Sequence, residues 1–330
     1  MADKTNKAAT DFLLSNTARP TGRENPECVT ISVIIPTRNR ADDLEKAVAS
    51  LFQQTLLANQ LIILDQSRKE DSRKRIENLF ASSPSRVQEA VRLSYVRDTT
   101  ISSAAVARNR AMDLADGAIW LFLDDDVELE RDFVQVIAET YQRYPAVTGV
   151  SGVITNYLPP PWPFRLWNAV FALGVFHDER QSVYWKADQL RHSEPIPVRK
   201  FGGGLMSFRA LAIRDLRFDP RLRGASEGED VEFCSRLEPG SRLVMNPQAR
   251  LVHKQTPVAR SQHHWIRREA KAATYLYWKC WRKGLLNRLC FLWFIFGYAL
   301  MATYSGLHHQ SLSSWRAFLG GITEGNDGRS

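Results

Sequence analysis

The 330-residue chain predicts an α/β fold, a mostly parallel sheet with helices on both faces, followed by C-terminal membrane-associated helices. Three observations carry this reading. Short β-branched or apolar runs alternate with segments of helical spacing, the pattern of βαβ units. One run, Ala118-Ile-Trp-Leu-Phe-Leu123, is apolar throughout, as a strand buried on both faces of a parallel sheet must be. Leu289 to Leu307 carries no charge over about 19 residues, close to the length that spans a bilayer.

The elements follow in order. Residues 1–28 are polar, lack an apolar signal core and are expected to form a disordered tail. Ile31 to Pro36 is a β-branched strand. Asp42 to Gln54 carries Leu44, Val48, Leu51 and Phe52 at helical spacing. Leu61 to Leu64 is a second buried strand, ending at Asp65. Arg68 to Phe80 is charged and reads as a surface helix. Val91 to Val96 is a third strand, Ser103 to Ala115 an alanine-rich helix and Ala118 to Leu123 the fourth strand. Glu130 to Tyr144 is a helix stopped by Pro145. Residues 156–200 interrupt the pattern with Pro159-Pro-Pro-Trp-Pro163 and with Phe164, Trp167, Phe171 and Phe176. They read as an insertion with a short aromatic helix, either ordinary packing under a long loop or a lid or acceptor-binding loop. Phe201 to Phe208 returns to strand character, and its glycines permit close backbone approach to a ligand. Ser226 to Leu237 begins as an acidic turn and becomes a helix. Asn246 to His253 contains the last strand. An α/β domain is therefore expected over 29–260, and a basic, membrane-associated region over 261–330.

The net charge of +8 and pI near 9.4 point to an anionic partner, whether nucleic acid, a membrane surface or a nucleotide. Seven Lys or Arg lie between Arg267 and Arg288, with Glu269 the single acid there. This cluster abuts the apolar segment and forms no recognised nucleic-acid motif, which favours an anionic membrane surface over nucleic acid. By the positive-inside rule it lies on the cytoplasmic side, making the protein peripheral or single-pass through 289–307. The cysteines, Cys28, Cys234, Cys280 and Cys290, form no CxxC pair, which argues against a zinc ribbon or disulfide framework and fits a reducing cytosol.

The apolar run to Leu123 ends in Asp124, Asp125 and Asp126. Unpaired charge is costly to bury, so the acids belong at the strand's C-terminal mouth, where open α/β sheets bind ligands. Clustered carboxylates suit a hard divalent cation holding phosphate oxygens. The alternative is an acidic turn opening the next helix, since Glu128 and Glu130 follow.

Four segments in order, Val33-Ile-Ile-Pro-Thr-Arg-Asn-Arg40, Ile62-Ile-Leu-Asp-Gln-Ser67, Ala107-Arg-Asn-Arg-Ala111 with Leu121-Phe-Leu-Asp-Asp-Asp126, and Glu227-Gly-Glu-Asp-Val-Glu232, resemble the family 2 inverting glycosyltransferases. That resemblance covers about residues 31–255 and implies a GT-A-type, Rossmann-like fold that binds a nucleotide-diphosphate sugar. It implies donor contacts from Pro36, Thr37, Asn39, Asp65, Gln66, Arg108, Asp124 and Asp125. Gln66 stands where the family has a second acid, which weakens the case for uridine, although an amide still pairs with a pyrimidine edge. Arg108 would face the nucleotide; otherwise it is a solvated helix charge. Mn²⁺ or Mg²⁺ would be held by Asp126, Asp124 and His253, though a lone histidine is more often structural. Asp230 matches the catalytic base, with Glu229 its competitor, while Glu227 and Glu232 read as surface or capping residues. Gln262-His-His-Trp-Ile-Arg-Arg268 departs from the QxxRW motif of processive synthases, which implies one sugar added per lipid-linked or glycan acceptor. The competing readings are a nucleotidyltransferase, for which the first loop lacks a glycine-rich phosphate cradle, and a non-catalytic nucleotide-sugar-binding membrane scaffold.

Overall fold

A computed structural model describes residues 29–101, 103–222, 228–254 and 262–329. The expected polar tail, Glu227 and the side chains of Gln262, His263 and His264 lie outside the described residues. The strands are β1 (Ile31–Thr37), β2 (Gln60–Asp65), β3 (Arg92–Arg97), β4 (Ile119–Leu123), β5 (Val127–Leu129), β6 (Gly149–Ile154), β7 (Ile196–Val198), β8 (Leu205–Arg209) and β9 (Leu243–His253). The helices of the first half are α1 (Ala41–Phe52), α2 (Asp71–Ala81), α3 (Ser85–Ala90), α4 (Ala104–Met112) and α5 (Phe133–Arg143). Then come α6 (Trp162–Phe171), α7 (Arg180–Trp185), α8 (Ala210–Ile213), α9 (Glu229–Ser235), α10 (Gln262–Leu276), α11 (Leu285–His308) and α12 (Ser313–Gly325).

The strands form one sheet in the order β3-β2-β1-β4-β8-β6-β9-β5, with β7 also on β9. The first four pair in parallel, as the alternation of strands and helices requires. Beyond β4 the sheet is mixed. β8 begins opposite the end of β4, with Leu205 across from Leu123, and so runs back antiparallel. β5 follows the acidic turn directly and pairs antiparallel with β9, so Glu128 lies in a strand and the next helix starts only at Phe133.

Alternate residues of the central strands feed two cores. Val33, Ile35, Leu61 and Ile63 pack with Leu44 and Val48 of α1 and Phe133 and Ile137 of α5. Ile34, Ile62 and Leu64 pack on the other face with Ala105, Ala107 and Ala111 of α4. This period of two explains why the strands read as continuous apolar runs.

The described residues form two compact units, one drawn from 29–157 and 182–254 and another from 158–181 and 262–329. The insertion is thereby divided, and its aromatic helix α6 belongs to the second unit. There Trp167 packs against Phe171, Phe294 and Tyr298 and donates from Nε1 to the Gly297 carbonyl at 3.1 Å. A Cβ on Gly297 would fall 2.5 Å from the Phe171 ring, so only glycine lets α6 sit this close to α11. Among the described residues, α11 is the one helix long and apolar enough to cross a membrane.

Candidate active site

The C-terminal ends of β1, β2 and β4 meet on one edge of the sheet, with Thr37 in register with Asp65. Pairing of β1 with β4 stops at Ile34, so Pro36, which has no N–H to offer, lies beyond it inside the strand end. Asn39 then turns the chain with φ of +57°, a region asparagine tolerates, and its N–H donates to Ser67 Oγ at 2.7 Å. The Gln66 N–H donates to the Thr37 carbonyl at 2.9 Å, holding the two loops together. Asp65 is fully buried and accepts from Tyr95 Oη at 2.6 Å and the Ser67 N–H at 2.8 Å.

The three acids after β4 have three different environments. Asp125 points inward, accepting from Thr37 Oγ1 at 2.7 Å and Arg40 Nη1 at 3.2 Å. Burial pushes its carboxyl up to about 6, against the pull of Thr37 and Arg40 and with the push of Asp124 and Asp126. Asp126 accepts from Arg40 Nη1 at 3.0 Å on Oδ2, and its Oδ1 lies 3.0 Å from His253 Nε2. Asp124 is the most open, with its side chain 32% exposed.

Asp124, Asp126 and His253 each offer one ligand atom, and these lie within 4.8 Å of one another. Carboxylate oxygens with one imidazole suit Mn²⁺ or Mg²⁺, and Mn²⁺ accepts the nitrogen more readily. Gly204 backs the cluster, where any Cβ would collide with the Asp124 carboxylate. Burial opposes the His253 imidazolium, yet its hydrogen bond to Asp126 and the Asp126 and Asp124 charges prevail and raise its pKa.

Arg108 is not a solvated helix charge. It is 2% exposed, and its guanidinium donates to Glu229 Oε1, to Asp124 Oδ1 at 3.0 Å and to the Gly203 carbonyl at 3.0 Å. Burial works against its charge, but Glu229 and Asp124 outweigh that and raise its pKa. Glu229 is equally buried at 2%, held by Arg108 in the first turn of α9. Asp230, the next residue, is half-buried, accepting from the Gly203 N–H and the Val231 N–H, both at 2.8 Å. Gly203 is thus gripped on both sides, its carbonyl by Arg108 and its N–H by Asp230. Glu232, read as surface or capping, is instead fully buried and paired with Arg236 at 2.6 Å.

Sequence reasoning brought together Thr37, Asp65, Arg108, the three acids, Asp230 and His253. No role fell to Arg40 or Tyr95, and Gly203 was read only as permitting close backbone approach to a ligand. Arg40 carried a signal, a basic residue just after the turn at a strand mouth facing acids. Nothing local marks Tyr95, which reaches Asp65 from a neighbouring strand.

The sequence model for "Glycosyl transferase family 2" matches residues 32–212. A glucosyl-dolichyl phosphate glucuronosyltransferase of Haloferax volcanii is 23% identical over 236 residues, 68% of this chain and 69% of that one. A GalNAc(5)-diNAcBac-PP-undecaprenol β-1,3-glucosyltransferase of Campylobacter jejuni is 31% identical over 99 residues, only 30% of each chain. In structure, the mannosyltransferase PcManGT from Pyrobaculum calidifontis, solved with GDP-Man and Mn²⁺, superposes with a TM-score of 0.55 at 17% identity. That likeness covers 98% of this chain and 93% of the other, and it shows the GT-A-type fold. Since the family match runs over more than half of the chain, from the first strand through the acidic loop to the strand beyond Gly203 and Gly204, this protein belongs to the family 2 glycosyltransferases.

Proposed function

We propose that this glycosyltransferase moves one sugar, with inversion, from a nucleotide-diphosphate sugar to a lipid-linked or polysaccharide-building acceptor at the cytoplasmic face of a membrane. The observation that carries the proposal is the linkage of two chemistries through a short chain of hydrogen bonds. Asp124, on the cluster side, and Asp230 are joined through Arg108 and Gly203.

Asp124, Asp126 and His253 would hold a divalent cation, and the charge it would supply there would neutralise the departing diphosphate. Thr37, Asp65 and Gln66 at the neighbouring strand ends support the nucleoside, and Pro36 and Asn39 shape that edge. Asp125 acts by ordering the acidic loop through Thr37 and Arg40. Asp230 accepts the proton of the acceptor hydroxyl while the hydroxyl oxygen bonds to the anomeric carbon. The bond from that carbon to the phosphate oxygen breaks on the opposite side, and inversion follows. Glu229 is a poorer base because Arg108 holds it buried. The names of the haloarchaeal and Campylobacter relatives carry dolichyl phosphate and undecaprenol acceptors, which supports a lipid-linked acceptor here. Membership of a glycosyltransferase family answers the nucleotidyltransferase and scaffold alternatives.

The test is a donor screen with Mn²⁺ and a polyprenyl-linked acceptor, reading nucleoside diphosphate release and the anomeric configuration of the product. Asp230→Asn should retain donor binding and lose about 10²–10⁴-fold in transfer, the contribution of a positioned general base. A retained configuration, release of pyrophosphate, or an active Asp230→Asn would overturn the proposal.

A further inference from the structure

The apolar residues of α11 fall into two opposite stripes. Cys290, Phe294, Tyr298 and Ala302 are buried in the second unit. Leu289, Leu292, Phe296 and Leu300 face away from it, 54%, 55%, 48% and 45% exposed. The helix α6 repeats this arrangement. Its Trp167 and Phe171 pack on α11, while Trp162, Leu166 and Val170, spaced four apart, are exposed. The two exposed stripes are neighbours, because Trp293 Nε1 donates to the Val170 carbonyl at 2.8 Å and the Phe171 and Trp293 rings lie 5.2 Å apart.

The far side of α11 is different. Trp265 of α10 lies 5.7 Å from Tyr298, near the middle of α11. Two residues on, Arg267 pairs with Glu324 of α12, and Lys271 reaches the same carboxylate at 3.9 Å. The backbones of α10 and α12 touch, since a Cβ on Gly325 would fall 2.6 Å from the Lys271 carbonyl. If α11 crossed a bilayer, its midpoint would sit at the centre. Arg267, Arg268 and Glu269 would then lie within about 6 Å of it along α10, at the helical rise of 1.5 Å per residue. Charges are least tolerated at that depth. With α11 in the plane of the surface, the exposed stripes enter lipid and the charged α10–α12 pair stays on the water side.

The charge pattern names the lipid. From Ala270 to Thr323 there is no Asp or Glu, while Lys279, Arg282 and Lys283 lead into α11, Arg288 lies in its first turn and Arg316 follows it. Arg282, Lys283 and Arg288 are exposed. Such a segment is drawn to anionic headgroups.

We infer that α6 and α11 together form one in-plane, lipid-facing surface that seats the second unit on an anionic bilayer without crossing it. The helix from the insertion is then part of the membrane contact and not a lid over an acceptor. This deepens the membrane part of the proposed function and rests on it only there.

The full-length protein, freed of detergent, is floated with phosphatidylcholine vesicles and with vesicles containing phosphatidylglycerol. It should float with both and more completely with the anionic ones. Leu166→Glu with Val170→Glu should lower the bound fraction at least about tenfold, as charge at an apolar contact must. Leu166→Met with Val170→Met should restore it, and Leu292→Glu with Phe296→Glu should match the first pair. Protease should remove tags at both chain ends from the same side of sealed membrane vesicles. Wild-type flotation of the α6 double Glu variant, or tags cleaved from opposite sides, would overturn the inference. Transfer to a water-soluble acceptor analogue without any vesicle binding would also overturn it and leave the transferase reading standing. Vesicle binding without nucleoside diphosphate release would do the reverse.

Discussion

Arg108→Met should destabilise the catalytic unit far more than an exposed substitution would. Arg108 and Glu229 are each 2% exposed, and they face one another 121 positions apart in the chain. Methionine fills similar space, so the change is chiefly electrostatic. Removing one partner leaves the Glu229 carboxylate buried without the guanidinium it faces, which costs about 3–5 kcal/mol. For a unit of this size, each kcal/mol shifts Tm by about 2–4 °C, so the expected fall is roughly 6–20 °C. Calorimetry and urea unfolding of the purified protein measure it. Combining Arg108→Met with Glu229→Gln should recover a large part of the loss, because a neutral amide needs no countercharge. A double-mutant coupling of about 2 kcal/mol or more would express this. A single variant within about 1 kcal/mol of wild type, or a double variant as unstable as the sum of the two singles, would refute the reasoning.

Two other outcomes test the acidic loop. Asp126→Ala should abolish Mn²⁺ binding as read by electron paramagnetic resonance, and turnover with it, whereas Mn²⁺ affinity unchanged in that variant would remove Asp126 from the ligand set. Arg40→Met should tighten Mn²⁺ binding about tenfold, near the value of one charge-assisted hydrogen bond, because Arg40 occupies Asp126 Oδ2. Weaker Mn²⁺ binding in that variant would mean that Arg40 positions the ligands instead of competing with the cation.

The features legible in the sequence were those written in local pattern. β1, β2 and β4 announce themselves as apolar runs because both of their faces are buried, and Asp124 to Asp126 announce a site because acids at a strand end must face an opening. What pairs β8 with β4 is not local. Leu205 meets Leu123 across 82 positions of intervening chain, and no periodicity encodes the direction of that pairing. The same holds for side chains. A helical arginine such as Arg108 looks like any exposed charge until Glu229 and the Gly203 carbonyl are brought to it. The adjacent acids Glu229 and Asp230 carry no local pattern that tells which is buried, and their surroundings differ because a helix turns successive residues to different sides. Likewise the aromatic spacing of α6 fixed a helix but not its partner, which is α11.

Gly203 has a consequence for anyone who would re-engineer this enzyme. Gly203 is clamped between Arg108 and Asp230, so the loop that carries the proposed base is tied to the acidic loop through this residue's backbone as well as through Arg108, which joins Glu229 to Asp124. A chimaera that exchanges acceptor specificity by transplanting the segment around α9 alone would carry Asp230 away from its reference point. The transplantable module runs from Phe201 through α9 and must arrive with an arginine at position 108. Grafts cut at those seams should preserve donor use while acceptor choice is varied, and grafts cut between Gly204 and Asp230 should not.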